Sequence, residues 1–256
     1  MKFNWSHITL SIACIAVVAI WVTSFVSSQN KEVEKIHYYV ESVEGARNLI
    51  TVKEIQKKIS DRYDLDAGKI KITNLDLPAL ESSISNDNRI LKTETYLDAQ
   101  RHLHINVIQR RPIVRIIDEK GKQYYLDQEG EFISKQDYKA IRVPVATGNI
   151  EPFNPDWKTQ KTSKINQCFT IIQALRKEEF YTSLIEQIHF EEDQIKLVPK
   201  IGEEVIVIND LNNIDRKLYN LKRFYETEMT LGNAWGKYDE LDISIKNQVV
   251  PRTTKP

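Results

Sequence analysis

The sequence predicts an α+β protein: one N-terminal transmembrane helix, a small β-α-α-β-β module, and a β domain of mostly antiparallel strands with two packed helices. Three observations carry this. Phe3 to Asn30 contains no Asp, Glu, Lys or Arg. Beyond it, stretches of period-two and period-3.6 hydrophobicity follow one another in blocks. Between Arg110 and Ser134 the apolar residues come in three short runs: Ile113, Val114, Ile116 and Ile117; Tyr124 to Leu126; and Phe132 with Ile133. Lys120-Gly121 and Glu129-Gly130 separate the runs, as in a meander whose hairpins need positive φ.

The apolar N-terminal stretch, Ile8 to Val26, is long enough at about 1.5 Å per residue to span a hydrocarbon core of roughly 30 Å. It exceeds the roughly 7 to 15 residues of a signal-peptide core, and no small-x-small site closes it. Cys14 lies inside the run rather than ending it, so lipidation is not expected. The transmembrane helix is placed at residues 7–28, after a short tail of residues 1–6. Lys2 on one side and Lys31 and Lys35 on the other do not select an orientation.

Lys31 to Lys35 reads as a charged linker. Ile36, Tyr38 and Val40 then alternate as a strand, and Gly45 follows its end. Thr51-Val52-Lys53-Glu54 is a capping box opening a helix with Val52, Ile55 and Ile59 on one face, ending near Tyr63. Ile70 and Ile72 form an extended link. Pro78 sits in the first turn of a second helix with Leu77, Leu80 and Ile84 on one face, stopped by Asn86 to Asn88. Thr93, Thr95 and Leu97 alternate, Asp98 to Arg101 turns, and Leu103, Ile105 and Val107 alternate again. Pro112 holds its predecessor extended and marks the change of module.

After the meander, Arg142 to Val145 reads as a strand and Gly148 to Pro155 as a loop. Ile165, Cys168, Phe169, Ile172 and Leu175 have helical spacing. Three strands follow, around Ile188 and Phe190, Ile195 and Leu197, and Val205 to Ile208; the last, wholly apolar, reads as central. Ile214, Leu218, Leu221 and Phe224 mark a second helix, and Leu241, Ile243 and Ile245 alternate in a terminal strand. Pro251 closes regular structure, leaving residues 251–256 as a disordered tail.

Composition removes several classes of function. With 36 basic and 36 acidic residues among 256, the chain has no basic excess for nucleic-acid phosphates. Two cysteines make no disulfide framework. No phosphate loop, dinucleotide fingerprint, nucleophile elbow or zinc-protease motif occurs. His102 and His104 share one strand face and two metal-ligand atoms, but with no third ligand in sequence reach they read as a solvated face opposite Leu103 and Ile105. The pairs Glu178-Glu179, Glu191-Glu192 and Glu203-Glu204 stand at element ends and read as solubilising charge. Tyr124, Tyr125, Trp157 and Trp235 read as core or interface. No catalytic, cofactor-binding or metal residue is assigned.

The strand-helix-helix-strand-strand order is that of a POTRA domain. Together with Gln109-Arg110-Arg111-Pro112-Ile113, Tyr124-Tyr125-Leu126-Asp127 with Gly130, Arg142-Val143-Pro144-Val145 with Gly148, Lys217-Leu218 and Asp242 to Gln248, it resembles the FtsQ/DivIB family of bacterial cell-division proteins. The resemblance implies a POTRA domain at residues 29–111 and a β domain at 112–250. It implies a non-catalytic scaffold of the divisome, single-pass in the inner membrane at the division septum, its N-terminus cytoplasmic and its bulk periplasmic. It also implies binding of FtsB/FtsL-type division proteins by strand addition, septal wall synthases as further partners, and regulation of septal wall synthesis, with neither cofactor, small-molecule substrate nor nucleic acid. By position, the partner-binding residues are Leu241, Asp242, Ile243, Ser244, Ile245, Lys246, Asn247 and Val249 on the terminal strand, with Lys217 on the neighbouring helix. Aliphatic Ile245 and basic Lys246 stand where other members carry aromatic and acidic residues. A cell-wall hydrolase using a glutamate pair and a POTRA chaperone for envelope proteins are the competing classes.

Overall fold

The computed structural model describes residues 13–23, 31–42, 48–60, 70–135 and 141–253. Two units divide at Gln109 and Arg110. Residues 13–23 are helical, and Ile15, Val17, Val18, Ile20 and Trp21 are exposed on that helix. Among the described residues no helix is long and apolar enough to cross a membrane. The expected span at 7–28 runs beyond the described residues at both ends.

In the first unit, β1 (Lys35–Val40), α1 (Val52–Ser60), α2 (Leu77–Ser85), β2 (Ile90–Leu97) and β3 (His102–Gln109) follow in the order the alternation predicts. β3 is the middle strand, parallel to β1 and antiparallel to β2. Leu103, Ile105 and Val107 of β3 are fully buried and pack with Ile55 and Ile59 of α1 and Leu80 and Ile84 of α2. The capping box at Thr51 closes in both directions: Thr51 N–H donates to the Glu54 carboxylate (2.8 Å) and Glu54 N–H to the Thr51 hydroxyl (3.3 Å). Asp76 caps α2 by accepting from Ala79 N–H. The supposed linker is part of this unit: Val33 is buried, and residues 31–33 bond to Ile70 and Ile72 through Val33 N–H and Ile72 N–H. Its flanking lysines concealed the one apolar residue, Val33, whose burial joins these backbone bonds in holding the segment. The expected helix end near Tyr63 and the turn at Gly45 lie outside the described residues.

Two buried polar side chains tie this unit together. The Gln109 carboxamide accepts from Leu49 and Ile50 N–H and donates to the Glu41 carbonyl. Arg89, 5% exposed, grips Asp87 bidentately (3.0 and 2.8 Å) and also donates to Glu54 and the Leu49 carbonyl.

The second unit is built on a nine-stranded sheet of order β12-β11-β10-β9-β8-β7-β4-β5-β6. Its strands are β4 (Pro112–Ile117), β5 (Gln123–Asp127), β6 (Phe132–Ser134), β7 (Val145–Gly148), β8 (Ile185–Phe190), β9 (Ile195–Pro199), β10 (Val205–Ile208), β11 (Glu240–Asp242) and β12 (Val250–Arg252). Helices α3 (Lys164–Leu175), α4 (Glu179–Leu184) and α5 (Ile214–Phe224) bury Ile165, Cys168, Ile172, Tyr181, Leu218 and Leu221 in the same core as the strand residues Ile116, Ile188, Leu197 and Ile206. Most pairings are antiparallel, but β4 with β7, β7 with β8 and β10 with β11 run parallel.

Four expectations change here. The strand foreseen at Arg142 to Val145 lies at Val145–Gly148, and Gly148 belongs to it rather than to a loop. A Cβ at Gly148 (φ +95°) would stand 2.1 Å from the Phe190 carbonyl oxygen, so only glycine lets β7 and β8 close. A third helix, α4, joins the expected two, and α5 continues into a π-helical segment, Tyr225–Leu231. The terminal strand stops at Asp242, and Pro251, expected to end regular structure, sits inside β12. A proline is tolerated on a strand at the end of a sheet, where one side of the ladder has no partner.

Burial opposes the charge of Asp87, but Arg89 and Lys58 outweigh it and hold its carboxyl down at about 2. A pKa below the unfolded value of about 3.9 stabilises the fold fully above that pH, and the contribution is lost as pH falls through about 2. NMR-monitored urea unfolding at the amides of Leu103, Ile105 and Val107 is expected to show this loss, and Asp87→Asn to flatten it. Arg89→Ala, which leaves half-buried Asp87 with only the longer ion pair to Lys58 (3.4 Å), is expected to destabilise the same unit by about 3 kcal/mol.

Candidate partner interface

The residues foreseen for partner binding lie at one end of the large sheet, where the chain crosses from β10 to β11 through α5 and then doubles back as β12. A parallel pair such as β10 and β11 cannot be joined by a hairpin. The connection leaves β10 at Asn209 and turns on Asp210, whose carboxylate accepts from Asn212 N–H (2.8 Å). It enters α5 through Asn213 at φ +54°. Asparagine tolerates this left-handed conformation better than most residues.

Lys217 lies on the first turns of α5, 7% exposed. Its ammonium donates to the Asp210 carbonyl (2.8 Å) and reaches the Asp210 carboxylate (3.0 Å). Burial raises the Asp210 pKa, but Lys217 and Asn212 outweigh it, and the net shift is downward. Lys217 is therefore committed inside the chain and fixes the loop before its own helix. Arg216 beside it is exposed and lies over the Tyr219 ring at 5.1 Å.

Leu241 and Ile243 are fully buried in the core, and Ile243 N–H donates to the Val207 carbonyl. Asp242, also buried, accepts from Ser244 N–H (2.8 Å) and from Arg252 (2.7 Å), whose other nitrogen reaches Glu240 (3.1 Å). Arg252 thus clasps β12 onto β11. The Ser244 hydroxyl accepts from Asn209 N–H, joining the turn to the exit of β10. Ile245, Lys246 and Asn247 form an exposed turn closed by Gln248 N–H to the Ile245 carbonyl, with Asn247 at φ +61°. Val249 is half-buried against the core.

The structure brings four of these residues, Lys217, Ser244, Lys246 and Asn247, to one open groove of about 530 Å³, completed by Asp210, Asn212, Asn213 and Arg216. It does not keep Leu241 to Val249 as one free edge. β11 is bonded to β10 on one side and to β12 on the other, so the outermost strand is β12. Pro251 in its middle has no N–H to offer either neighbour. Correspondence by position singles out Lys217 and not Arg216; on a helix that buries Ile214, Lys217, Leu218 and Leu221, Arg216 falls on the exposed side. The glutamate pairs do not assemble a site: Glu178 pairs with Lys222, Glu191 with Lys196, and Glu204 is buried where it accepts from the Tyr225 hydroxyl (2.7 Å). Trp157 is core, whereas Trp235 is 42% exposed.

A family model described as FtsQ/DivIB, C-terminal related, matches residues 111–252. The chain belongs to that family. The match runs from the start of β4 to the end of β12 and so takes in the groove and the clasp. It gives the chain a cell-division role, associated with the division septum, in a family that is generally non-catalytic. No curated protein matches the chain.

Replacing Lys217 by Met keeps the buried alkyl stem and removes the ammonium. The expected loss is about 1.5–3 kcal/mol of stability, the range for a hydrogen bond to a charged group. Faster amide exchange at Asn212 and Asn213, with exchange at Leu197 on β9 changed only by the global loss, would locate the effect in the loop.

Proposed function

We propose that this chain is a membrane-anchored scaffold of the bacterial divisome. In this reading residues 7–28 cross the inner membrane, the first unit is a POTRA domain, and the second unit captures FtsB/FtsL-type coiled-coil partners and thereby regulates septal wall synthesis. The observation that carries it is the family match, whose last matched residue, Arg252, is the residue that clasps β12 to the sheet. The exposed apolar helix at residues 13–23 supports the anchor, because an apolar surface of that kind is stable against lipid rather than water. The β-α-α-β-β order with β3 in the middle of a mixed sheet supports the POTRA assignment.

Partner capture is proposed at the groove and at β12 beside it. Arg216 and Lys246 present positive charge to an acidic side chain, Ile245, 46% exposed, offers an apolar contact, and the outer side of β12, lacking a donor at Pro251, offers its remaining backbone groups to a partner strand. Lys217, Leu241, Asp242 and Ile243 act from beneath by holding this surface in place. Ser244, Asn247 and Val249 shape its turn.

Depletion of the protein is expected to give filamentous cells, and normal septation on depletion would refute the scaffold. For the surface, Arg216→Glu with Lys246→Glu is expected to lower co-purification of the FtsB-type partner at least tenfold with the melting curve unchanged. Undiminished capture would move the site away from the groove while leaving the family role intact.

A further inference from the structure

The first unit carries a cluster separate from the residues of the groove and of β12. Asp98, at the β2–β3 turn, and His102 and His104 of β3 offer one ligand atom each, and the three atoms lie within 4.8 Å of one another. The Asp98 Oδ2 atom is the hub, 2.9 Å from His104 Nε2 and 3.3 Å from His102 Nδ1. Sequence spacing alone offered two histidines on one face of a strand. The hairpin supplies the third group by folding β2 back beside β3.

The carboxylate is held for this task by its own turn. Asp98 Oδ1 accepts from Gln100 N–H (2.9 Å) and His102 N–H (2.8 Å), closing a turn in which Arg101 takes φ +66°. The same arrangement recurs at Asp118 with Gly121 and at Asp127 with Gly130, where Oδ1 again accepts from the amides two and four residues on. Turn formation therefore consumes one oxygen and leaves the other. At Asp127 the second oxygen meets Arg110 (2.7 Å); at Asp98 it meets two imidazoles. The His104 ring is itself fixed, stacked on Tyr96 at 4.7 Å and 5° on one hand and near His37 at 5.1 Å on the other. His37 also lies edge-on to His102, at 5.3 Å.

We infer that Asp98, His102 and His104 form a site for a first-row divalent cation, with Zn²⁺ the best match. Two imidazoles and one carboxylate are a donor set such ions accept, and three protein ligands leave a fourth position for water or for a donor from another molecule. Tetrahedral bonds of about 2.0–2.1 Å set ligand atoms roughly 3.3 Å apart. The His102–Asp98 separation of 3.3 Å already matches, the His104–Asp98 separation of 2.9 Å has to open by a few tenths of an ångström, and the two imidazole nitrogens, within 4.8 Å of each other, have to settle to the same spacing. The backbone amides on Asp98 Oδ1 are the outer support that orients a metal-binding carboxylate.

The test uses the full chain in detergent micelles, stripped with chelator and titrated with Zn²⁺ by calorimetry. One Zn²⁺ per chain is expected, with His102→Ala and His104→Ala each weakening binding by at least about tenfold. Asp98→Asn, which retains the oxygen needed by the turn, is expected to weaken it as well. His189→Ala, on β8 of the other unit, is expected to leave it unchanged. Imidazole ¹⁵N shifts on adding Zn²⁺ should be confined to His102 and His104 and their ring neighbour His37. Absence of binding by the unaltered chain, or equal affinity in the His102→Ala/His104→Ala double variant, would overturn the assignment.

Discussion

The parallel pairing of β10 with β11 is the constraint on which the C-terminal face depends. Val205, Ile206 and Val207 align with Glu240, Leu241 and Asp242, and strands running the same way must be joined by a crossover. Here α5 and the π-helical segment make that crossing. The helix must therefore start beside the C-terminal end of β10, which brings Lys217 over Asp210. The next strand ends at the same level, which brings Ser244 to Asn209. The groove is the space between these two consequences.

The crossover also explains why β11 is short. Once Leu241 and Ile243 are buried and Ile243 has bonded to Val207, the chain has reached the end of β10, and Asp242 caps the following turn. The chain then folds back, and Arg252 finds both Glu240 and Asp242 across the new pairing. Alternation along Leu241, Ile243 and Ile245 has the period of one continuous strand, yet Ile245 stands in an exposed turn. Periodicity reports which side a residue faces; it does not report where the neighbouring strand runs out.

Buried and turn-forming charge is used in similar ways in the two units. Arg89 of the first unit is enclosed by Asp87, Glu54 and the Leu49 carbonyl, so its desolvation is compensated on every side. Lys217 of the second performs a similar role with one loop. Asp118 and Asp127 organise the hairpins of the meander, and Asp98 organises the hairpin of the smaller sheet, by one repeated pattern of amide acceptance. The remaining oxygen meets Arg110 at Asp127 and the imidazoles of His102 and His104 at Asp98.

Much of the fold was legible in the sequence by itself. The capping box at Thr51, the proline in the first turn of α2, the alternation of β3 and the glycines of the meander act through contacts a few residues apart, and each appears in the structure where the pattern placed it. The family was legible too, because its signature is an order of such local features. Tertiary structure alone decided the rest: that residues 31–33 join the first unit, that Gly148 closes β7 on β8, that Lys217 is buried while Arg216 is exposed, that β12 covers β11, and that Asp98 meets His102 and His104. Most of these depend on a partner distant in sequence or on the side of an element left uncovered. The Asp98 contacts, though only four and six residues long, depend on how the hairpin turns. Short-range periodicity carries no record of any of them.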